Sequence, residues 1–260
     1  MPAEILLESI DLSRRFGGLL AVDRASLTLA RGEVHALIGT NGAGKSTLVN
    51  VLSGEIAASG GKVRLSGCDV TRWTQPRRAR AGLGRSYQRT TIFAHASVFE
   101  NCRLAAQAHF QRAYDLWSDA TRCSDATRAA EQAIAQANLS AQARRVAGTL
   151  SHGQKRQLEI AMCLATGPSV LLLDEPLAGM GPEETDRMLL LLEALKPGHA
   201  VLLVEHDMDA VFRIADRITV MVSGRVIATG EPAAIRGNAD VQSAYLGEIG
   251  DDMPQAAGIG

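Results

Sequence analysis

Residues 39–46 read Gly39-Thr40-Asn41-Gly42-Ala43-Gly44-Lys45-Ser46 and match the pattern G-x-x-x-x-G-K-[ST] at every position. The stretch 33–38 before them predicts a strand, and the apolar residues of 48–52 recur at helical spacing. Glycines let backbone N–H groups turn inward around phosphate oxygens, and the helix N-terminus adds a positive dipole. In this pattern Lys45 reaches the outer phosphates and the Ser46 hydroxyl sits on Mg²⁺. The stretch predicts a phosphate-binding loop between a strand and a helix.

A second stretch, Leu171-Leu172-Leu173-Asp174-Glu175, is an apolar strand that ends in two acids. Asp174 is placed where it can hold Mg²⁺, directly or through water. Glu175 can act as general base for a water that attacks the γ-phosphate. Taken alone, the pair could also be a strand-end acid that caps a helix, and the loop at Lys45 favours the catalytic interpretation.

A third stretch, Leu150-Ser151-His152-Gly153-Gln154, opens a predicted helix about two dozen residues before Asp174. Alone it could be an ordinary helix start. Together with the loop and the acidic strand, it makes the chain resemble the ABC-type ATPases, in which an LSGGQ signature precedes the acidic strand in this way. Ser151, Gly153 and Gln154 match that signature, and His152 replaces its first glycine. The resemblance implies that this segment caps the ATP bound by the opposite subunit, with its donors on the γ-phosphate.

The resemblance assigns three further positions. Gln88 matches the glutamine that touches Mg²⁺ or the lytic water and couples to the membrane subunit. His206 matches the switch histidine on the γ-phosphate, and Phe16 matches the aromatic that stacks on adenine; without the resemblance, His206 would be a structural hydrogen-bonder and Phe16 a core or loop aromatic. The implied nucleotide-binding set is Phe16, Gly39, Thr40, Asn41, Gly42, Ala43, Gly44, Lys45, Ser46, Thr47, Ser151, Gly153 and Gln154. The implied catalytic set is Glu175, His206 and Gln88, and the implied Mg²⁺ set is Ser46, Gln88 and Asp174.

Four segments resemble one subfamily, the ATP-binding subunits of branched-chain amino acid importers. They are Arg15 to Val22, Ala178 to Pro182, Glu205 to Met208 and Ala244 to Glu248. That subfamily commonly lacks the aspartate of the usual Ser-Ala-Leu-Asp loop, where this chain has Gly181, so the usual carboxylate contact across the dimer is missing.

The resemblance also implies the setting in which the chain works. It implies an ATPase dimer, of identical or sister chains, on two transmembrane permeases at the cytoplasmic face of the membrane, fed by a substrate-binding protein. A lipopolysaccharide-export ATPase and a soluble ABC protein acting on nucleic acid or ribosomes remain the alternatives.

The composition restricts the partners. The 27 basic and 28 acidic residues leave a formal charge of -1, which argues against a nucleic-acid coat. The arginine run from Arg72 to Arg89 contains no acid, and we expect it to be a solvated face or a contact with acidic loops of a partner. The residues 1–4 do not resemble a signal peptide and the apolar runs are strand-sized, so we expect any membrane role to depend on a partner.

The pattern along the chain predicts an α/β protein, and the resemblance implies the P-loop NTPase ABC ATPase fold. Strands that alternate with helices indicate a mainly parallel core sheet, and the resemblance adds an N-terminal antiparallel β subdomain. Between about 98 and 150 the composition shifts to Ala, Gln and Arg with helical periodicity. We therefore expect one domain over 1–260, with an inserted helical subdomain over about 95–165. The resemblance implies that this domain uses ATP and Mg²⁺.

Overall fold

The computed structural model describes residues 4–87, 91–110 and 124–244, in which two sheets and a group of helices surround the loop at 39–46. The strands are β1 (Ile5–Phe16), β2 (Leu19–Ala30), β3 (Val34–Gly39), β4 (Gly60–Leu65), β5 (Cys68–Asp69), β6 (Leu83–Arg85), β7 (Val170–Asp174), β8 (Ala200–Val204), β9 (Arg217–Val222) and β10 (Arg225–Gly230). The helices are α1 (Lys45–Ser53), α2 (Gln75–Arg80), α3 (Val98–Phe110), α4 (Ser124–Gln136), α5 (His152–Leu164), α6 (Pro182–Leu195), α7 (Met208–Ile214) and α8 (Pro232–Arg236). None of the helices in these ranges has the length and apolar character that a bilayer crossing requires.

The first sheet is antiparallel, with strand order β2-β1-β4-β5. Its hairpin pairs Ile5 with Ala30 at one end and Phe16 with Leu19 at the other. The two strands of this hairpin, β1 and β2, have twelve residues each. Polar residues and several register shifts interrupt the apolar–polar alternation along these two strands, so periodicity alone does not reveal their full length.

The second sheet has the order β10-β9-β3-β8-β7-β6. The strands from β9 to β6 are parallel, and β10 pairs with β9 in the antiparallel sense. Every residue of β7 and β8 is buried, because both faces of this sheet are covered. The predicted mainly parallel core is confirmed, and the carboxyl ends of β3, β8 and β7 meet at one edge, which is where ligands bind in such sheets.

The two faces of the core sheet belong to different hydrophobic clusters. Leu171 and Leu173 of β7 pack with α3, α4, α5 and α6, whereas Val170 and Leu172 pack with α1 and the first sheet. Helices α3, α4 and α5 lie between β6 and β7 in the chain and pack on one another. The division into one domain with a helical subdomain over about 95–165 stays a prediction.

Candidate functional site

Two glycines of the phosphate-binding loop are required by close backbone approach. Gly39 ends β3 with φ of 154°, and a Cβ there would lie 2.1 Å from the carbonyl oxygen of Met221. Gly44 has φ of 96°, and a Cβ there would lie 2.3 Å from the carbonyl oxygen of Ala21. Any side chain at these positions would push the loop away from β9 or β2.

The start of α1 concentrates positive charge at the loop. The helix begins at Lys45, and Gly44 at its N-cap offers no side chain to the first N–H groups. The Lys45 ammonium donates to the carbonyl oxygens of Gly39 and Thr40, at 2.6 and 2.9 Å, which holds it against the loop. A cation and a helix N-terminus at one place form an anion site.

A cavity of about 580 Å³ opens over this loop. It brings together Phe16, the loop from Asn41 to Thr47 and Glu175. The sequence analysis missed Leu19 and Ser223, which also line it. Ser223 stands in the turn between β9 and β10, and the next residue, Gly224, donates its N–H to the carbonyl oxygen of Ala43 at 3.0 Å. The two-residue turn is visible in the sequence, but its position against the loop is not.

Phe16 lies at the mouth of the cavity with 42% of its surface exposed. The Arg14 guanidinium stacks 4.4 Å from its ring centroid. An exposed aromatic ring beside a phosphate site can stack on any base without reading its edge. Phe16 has the position that base stacking requires, and Arg14 covers part of the ring.

Asp174 ends β7 beside Val204 of β8, and Glu175 is the next residue. Burial raises the pKa of Asp174, and the charges of Arg85 and Lys45 oppose that rise. The guanidinium of Arg85 lies 4.0 Å from the Asp174 carboxylate. Glu175 has φ of 50°, in the left-handed region, which costs about 1–3 kcal/mol for a residue with a side chain. Such strain is typical of functional sites, and here it accompanies a side chain that lines the cavity.

Glu205 was not assigned a role by the sequence analysis. Its carboxylate accepts the N–H of Leu177 at 2.8 Å and the N–H of His206 at 3.3 Å, and it is 1% exposed. Burial raises its pKa, and these two N–H donors oppose the rise. Glu205 therefore ties the loop after Glu175 to the loop that carries His206. The signal for it was an acid at the end of the apolar strand β8, the same signal that identified Asp174.

The signature segment lies at the start of α5 and lines a different pocket from the loop. Ser151 and Gln154 form a reciprocal cap: the N–H of Gln154 donates to Ser151 Oγ and the N–H of Ser151 donates to Gln154 Oε1. His152 Nε2 lies 2.9 Å from the carbonyl oxygen of Ala178, so the ring bonds to the loop that follows Glu175. The structure thus places Phe16, Lys45, Ser46 and Glu175 together, but not with the signature.

The remaining predicted residues have separate positions. His206 has an exposed side chain, whose Nδ1 lies 3.8 Å from the Glu205 carboxylate. Gln88, Arg89 and the segment Tyr245 to Glu248 lie outside the described residues.

The arginine run is not simply a solvated face or a partner contact, and that expectation is wrong for two residues. Arg78 is 1% exposed and donates to the carbonyl oxygens of Val51 and Leu52, at 2.7 and 2.6 Å. The Arg85 guanidinium donates to Ser53 Oγ at 2.7 Å, and its side chain is 7% exposed. Arg78 lies inside because the last carbonyls of α1 attract cations. Arg85 lies inside because it donates to side-chain oxygens of Asn50, Ser53 and Glu55 at and beyond the end of α1. Arg72, Arg77 and Arg80 are exposed, as expected.

The chain was compared with protein families and with known proteins. A family described as "ABC transporter" matches residues 22–178, and one described as "Branched-chain amino acid ATP-binding cassette transporter" matches residues 225–250. The chain is 40% identical over 250 residues to the high-affinity branched-chain amino acid transport ATP-binding protein BraF of Pseudomonas aeruginosa, which covers 94% of this chain and 98% of BraF. It is 40% identical over 252 residues to LivG of Escherichia coli K12, with the same coverage of 94% and 98%. A solved ABC transporter cassette in its ADP conformation is similar in fold, with a TM-score of 0.81, 28% identity, and coverage of 94% of this chain and 99% of that one.

Proposed function

The chain belongs to the ATP-binding subunits of ABC transporters, in the branched-chain amino acid group that includes BraF and LivG, and we propose that it powers the import of branched-chain or related amino acids through partner permeases. It is an ATPase, and hydrolysis drives the transport. The observation that carries the site assignment is the cavity in which the phosphate-binding loop, an exposed Phe16 and the strand-end Glu175 meet.

The residues of the cavity account for the parts of ATP. Phe16 stacks on adenine, and the backbone N–H groups of the loop with the Lys45 ammonium hold the phosphates. Ser46 and Asp174 offer hydroxyl and carboxylate oxygens, the donor types that Mg²⁺ prefers, and Arg85 beside Asp174 favours the ionised form of that carboxyl. When bound, the ion neutralises charge on the β- and γ-phosphates. Gln88 completes the proposed Mg²⁺ set.

Glu175 is the proposed general base. Its side chain faces the same cavity as Lys45, so a water between Glu175 and the γ-phosphate can pass its proton to the carboxylate as it attacks. His206 and Gln88 complete the proposed catalytic set, with His206 on the γ-phosphate. Glu205 is a positioning residue, because its carboxylate bonds the loop that follows Glu175 to the loop that carries His206.

A second cassette is needed to complete the site. Ser151, Gly153 and Gln154 are proposed to bind ATP, yet within one chain they line a pocket apart from the loop. Two chains facing each other would bring the signature of one onto the ATP of the other. The cassettes then work at the cytoplasmic face of the membrane.

The permease contact has a candidate surface. A cleft of about 250 Å³ is lined by Gln75 of α2, Tyr87 after β6 and Met162 of α5. Tyr87, which lines the cleft, directly precedes Gln88 in the chain, and Gln88 resembles the glutamine that couples to the membrane subunit. We assign the permease contact to this cleft.

Reconstituted transport tests the proposal. The chain is co-purified with the permease subunits encoded beside it, placed in proteoliposomes with their binding protein, and supplied with Mg-ATP and labelled leucine, isoleucine or valine. We expect ATP-dependent uptake, lost in Lys45→Ala because that variant lacks the cation that holds the outer phosphates. Hydrolysis that drives no uptake of any branched-chain or related amino acid would contradict the substrate class. Unchanged ATP affinity of Lys45→Ala would contradict the nucleotide site.

A further inference from the structure

The signature segment is bound by a carboxylate of its own chain. Oε1 of Glu184, in the first turn of α6, accepts the hydroxyl of Ser151 at 3.2 Å and the backbone N–H of Gly153 at 3.3 Å. These two donors belong to the set that the proposed sandwich presents to the γ-phosphate. Glu184 therefore contacts the signature where a phosphate oxygen from a second cassette would bind.

The hydroxyl of Ser151 cannot serve both acceptors. Ser151 Oγ already accepts the N–H of Gln154 as the cap of α5, and its one hydrogen points to Glu184. The hydroxyl can donate to a phosphate oxygen only after its hydrogen bond to the Glu184 carboxylate has broken. Like charges add to this competition, since a carboxylate at the start of α5 repels an approaching triphosphate.

The fit of Glu184 depends on Gly153. A Cβ at Gly153 would lie 2.8 Å from Cδ and Oε1 of Glu184, so the carboxyl group rests where any other residue would place its side chain. The signature segment is also bonded to the loop after Glu175, by His152 on the carbonyl oxygen of Ala178. The signature is thus held within its own chain at both the loop after Glu175 and the start of α6.

We propose that Glu184 occupies the signature donors in place of the γ-phosphate and sets how much ATP is needed to close two cassettes. This inference rests on the proposed two-cassette arrangement. Glu184 does not line the cavity over the phosphate-binding loop, so it acts on closure and not on the binding of ATP to its own chain.

Glu183 provides a matched control. It is the neighbouring acid in the same first turn of α6, its side chain is 90% exposed, and it pairs with Arg187 at 3.2 Å. Glu184→Ala and Glu183→Ala each remove one charge from the same helix end, and only the first removes the contact with Ser151 and Gly153.

The test measures association against ATP concentration. Both variants are made in a Glu175→Gln chain, which retains ATP, and the fraction of dimer is measured by size-exclusion chromatography with light scattering in Mg-ATP. In Glu184→Ala no hydrogen bond to a charged carboxylate has to be broken before the cassettes close. The half-maximal ATP concentration for dimer formation should therefore fall about three- to tenfold. Glu183→Ala should match its Glu175→Gln parent, and the affinity of each single chain for ATP should not change.

A second measurement reads the contact directly. The amide resonance of Gly153 in a heteronuclear spectrum should move in Glu184→Ala and stay in place in Glu183→Ala. A structural role in α6 alone would lower the stability of Glu184→Ala without lowering its ATP requirement.

The outcomes separate this inference from the proposed function. In one outcome the Glu175→Gln parent associates in ATP, alone or with its sister cassette, but Glu184→Ala needs as much ATP as the parent or more. That result overturns the role of Glu184 only. A parent that never associates, even with the sister cassette and the permeases, contradicts the two-cassette arrangement itself and removes the basis of the inference.

Discussion

At the residue scale, several polar side chains are buried and each is fixed by its partners. His35 of β3, the strand that delivers the phosphate-binding loop, is fully buried. Its Nδ1 lies 3.1 Å from the carbonyl oxygen of Thr28, and its Nε2 lies 2.7 Å from the Thr219 hydroxyl. A carbonyl can only accept, so Nδ1 carries a proton. Because burial lowers the pKa of His35 to about 4, Nε2 is unprotonated at pH 7 and accepts from Thr219. The ring is therefore neutral and fills both of its hydrogen-bonding positions.

His35 predicts a loss of stability on acidification. Burial lowers its pKa from 6.5 to about 4, the hydrogen bond to the Thr28 carbonyl opposes this shift, and the charge of Arg217 adds to it. Between pH 6.5 and about pH 4, His35 is protonated in the unfolded chain and neutral in the folded chain. The free energy of unfolding therefore falls by about 1.4 kcal/mol for each unit by which the pH is lowered in this range. Urea unfolding at pH 7 and pH 5 should show about 2 kcal/mol more loss for the wild type than for His35→Gln. Equal losses in the two proteins would show that His35 is protonated in the fold.

The sequence could predict the site residues that belong to short contiguous patterns. Lys45, Ser46, Asp174 and Glu175 follow from the loop and from one strand end, since their chemistry depends on immediate neighbours. Ser223 could not be predicted, because it enters the cavity only through the packing of the β9–β10 turn on Ala43. The contact of Glu184 with Ser151 also joins residues far apart in the chain.

At the element scale, α1 is fixed at both ends. Its start forms the phosphate-binding loop, and its end is closed by Arg78, which also donates to the carbonyl oxygen of Thr71 at 2.9 Å. Burial lowers the pKa of Arg78 to about 10, so it keeps its charge at pH 7. A buried cation on the C-terminal carbonyls of a helix is favourable because the negative end of the helix dipole lies there. The carbonyl oxygen of Val51 also accepts the N–H of Gly54 at 3.2 Å.

Arg78 should therefore contribute strongly to stability. Arg78→Met keeps most of the volume but removes the guanidinium that donates to the carbonyl oxygens of Val51, Leu52 and Thr71, and we expect the free energy of unfolding to fall by about 3 kcal/mol. Arg80→Met changes an exposed arginine of the same helix and should cost less than about 0.5 kcal/mol. Urea unfolding of the two variants measures this difference. Equal stabilities would mean that Arg78 does not hold α1.

The strands of the core could be predicted from the sequence better than the positions of the buried arginine side chains. The apolar runs of β7 and β8 indicate buried parallel strands, because a sheet covered on both faces requires them. The spacing of Arg78 and Arg85 does not reveal which arginines face inward. That depends on the end of α1, which lies more than twenty residues earlier in the chain.

At the scale of the whole molecule, the chain carries two halves of an ATP site in separate places. The loop, Phe16 and Glu175 form one half, and Ser151, Gly153 and Gln154 form the other. In the two-cassette arrangement that we propose, one chain binds nucleotide with the first half alone, and hydrolysis coupled to transport requires the second half from another cassette. The motifs predict both halves, and the fold explains why they do not meet within one chain.

Glu175→Gln tests this account most directly. The amide keeps the shape of the side chain but cannot take the proton of the attacking water, so phosphate release should fall by about 10²- to 10⁴-fold. ATP binding should survive, because Lys45, Ser46 and Asp174 are unchanged. With the ATP retained, the variant should remain associated with a second cassette in Mg-ATP, as measured by light scattering, whereas the wild type associates only transiently. Near wild-type phosphate release would contradict the role of Glu175, and no ATP-dependent association, even with the sister cassette and permeases present, would contradict the two-cassette site.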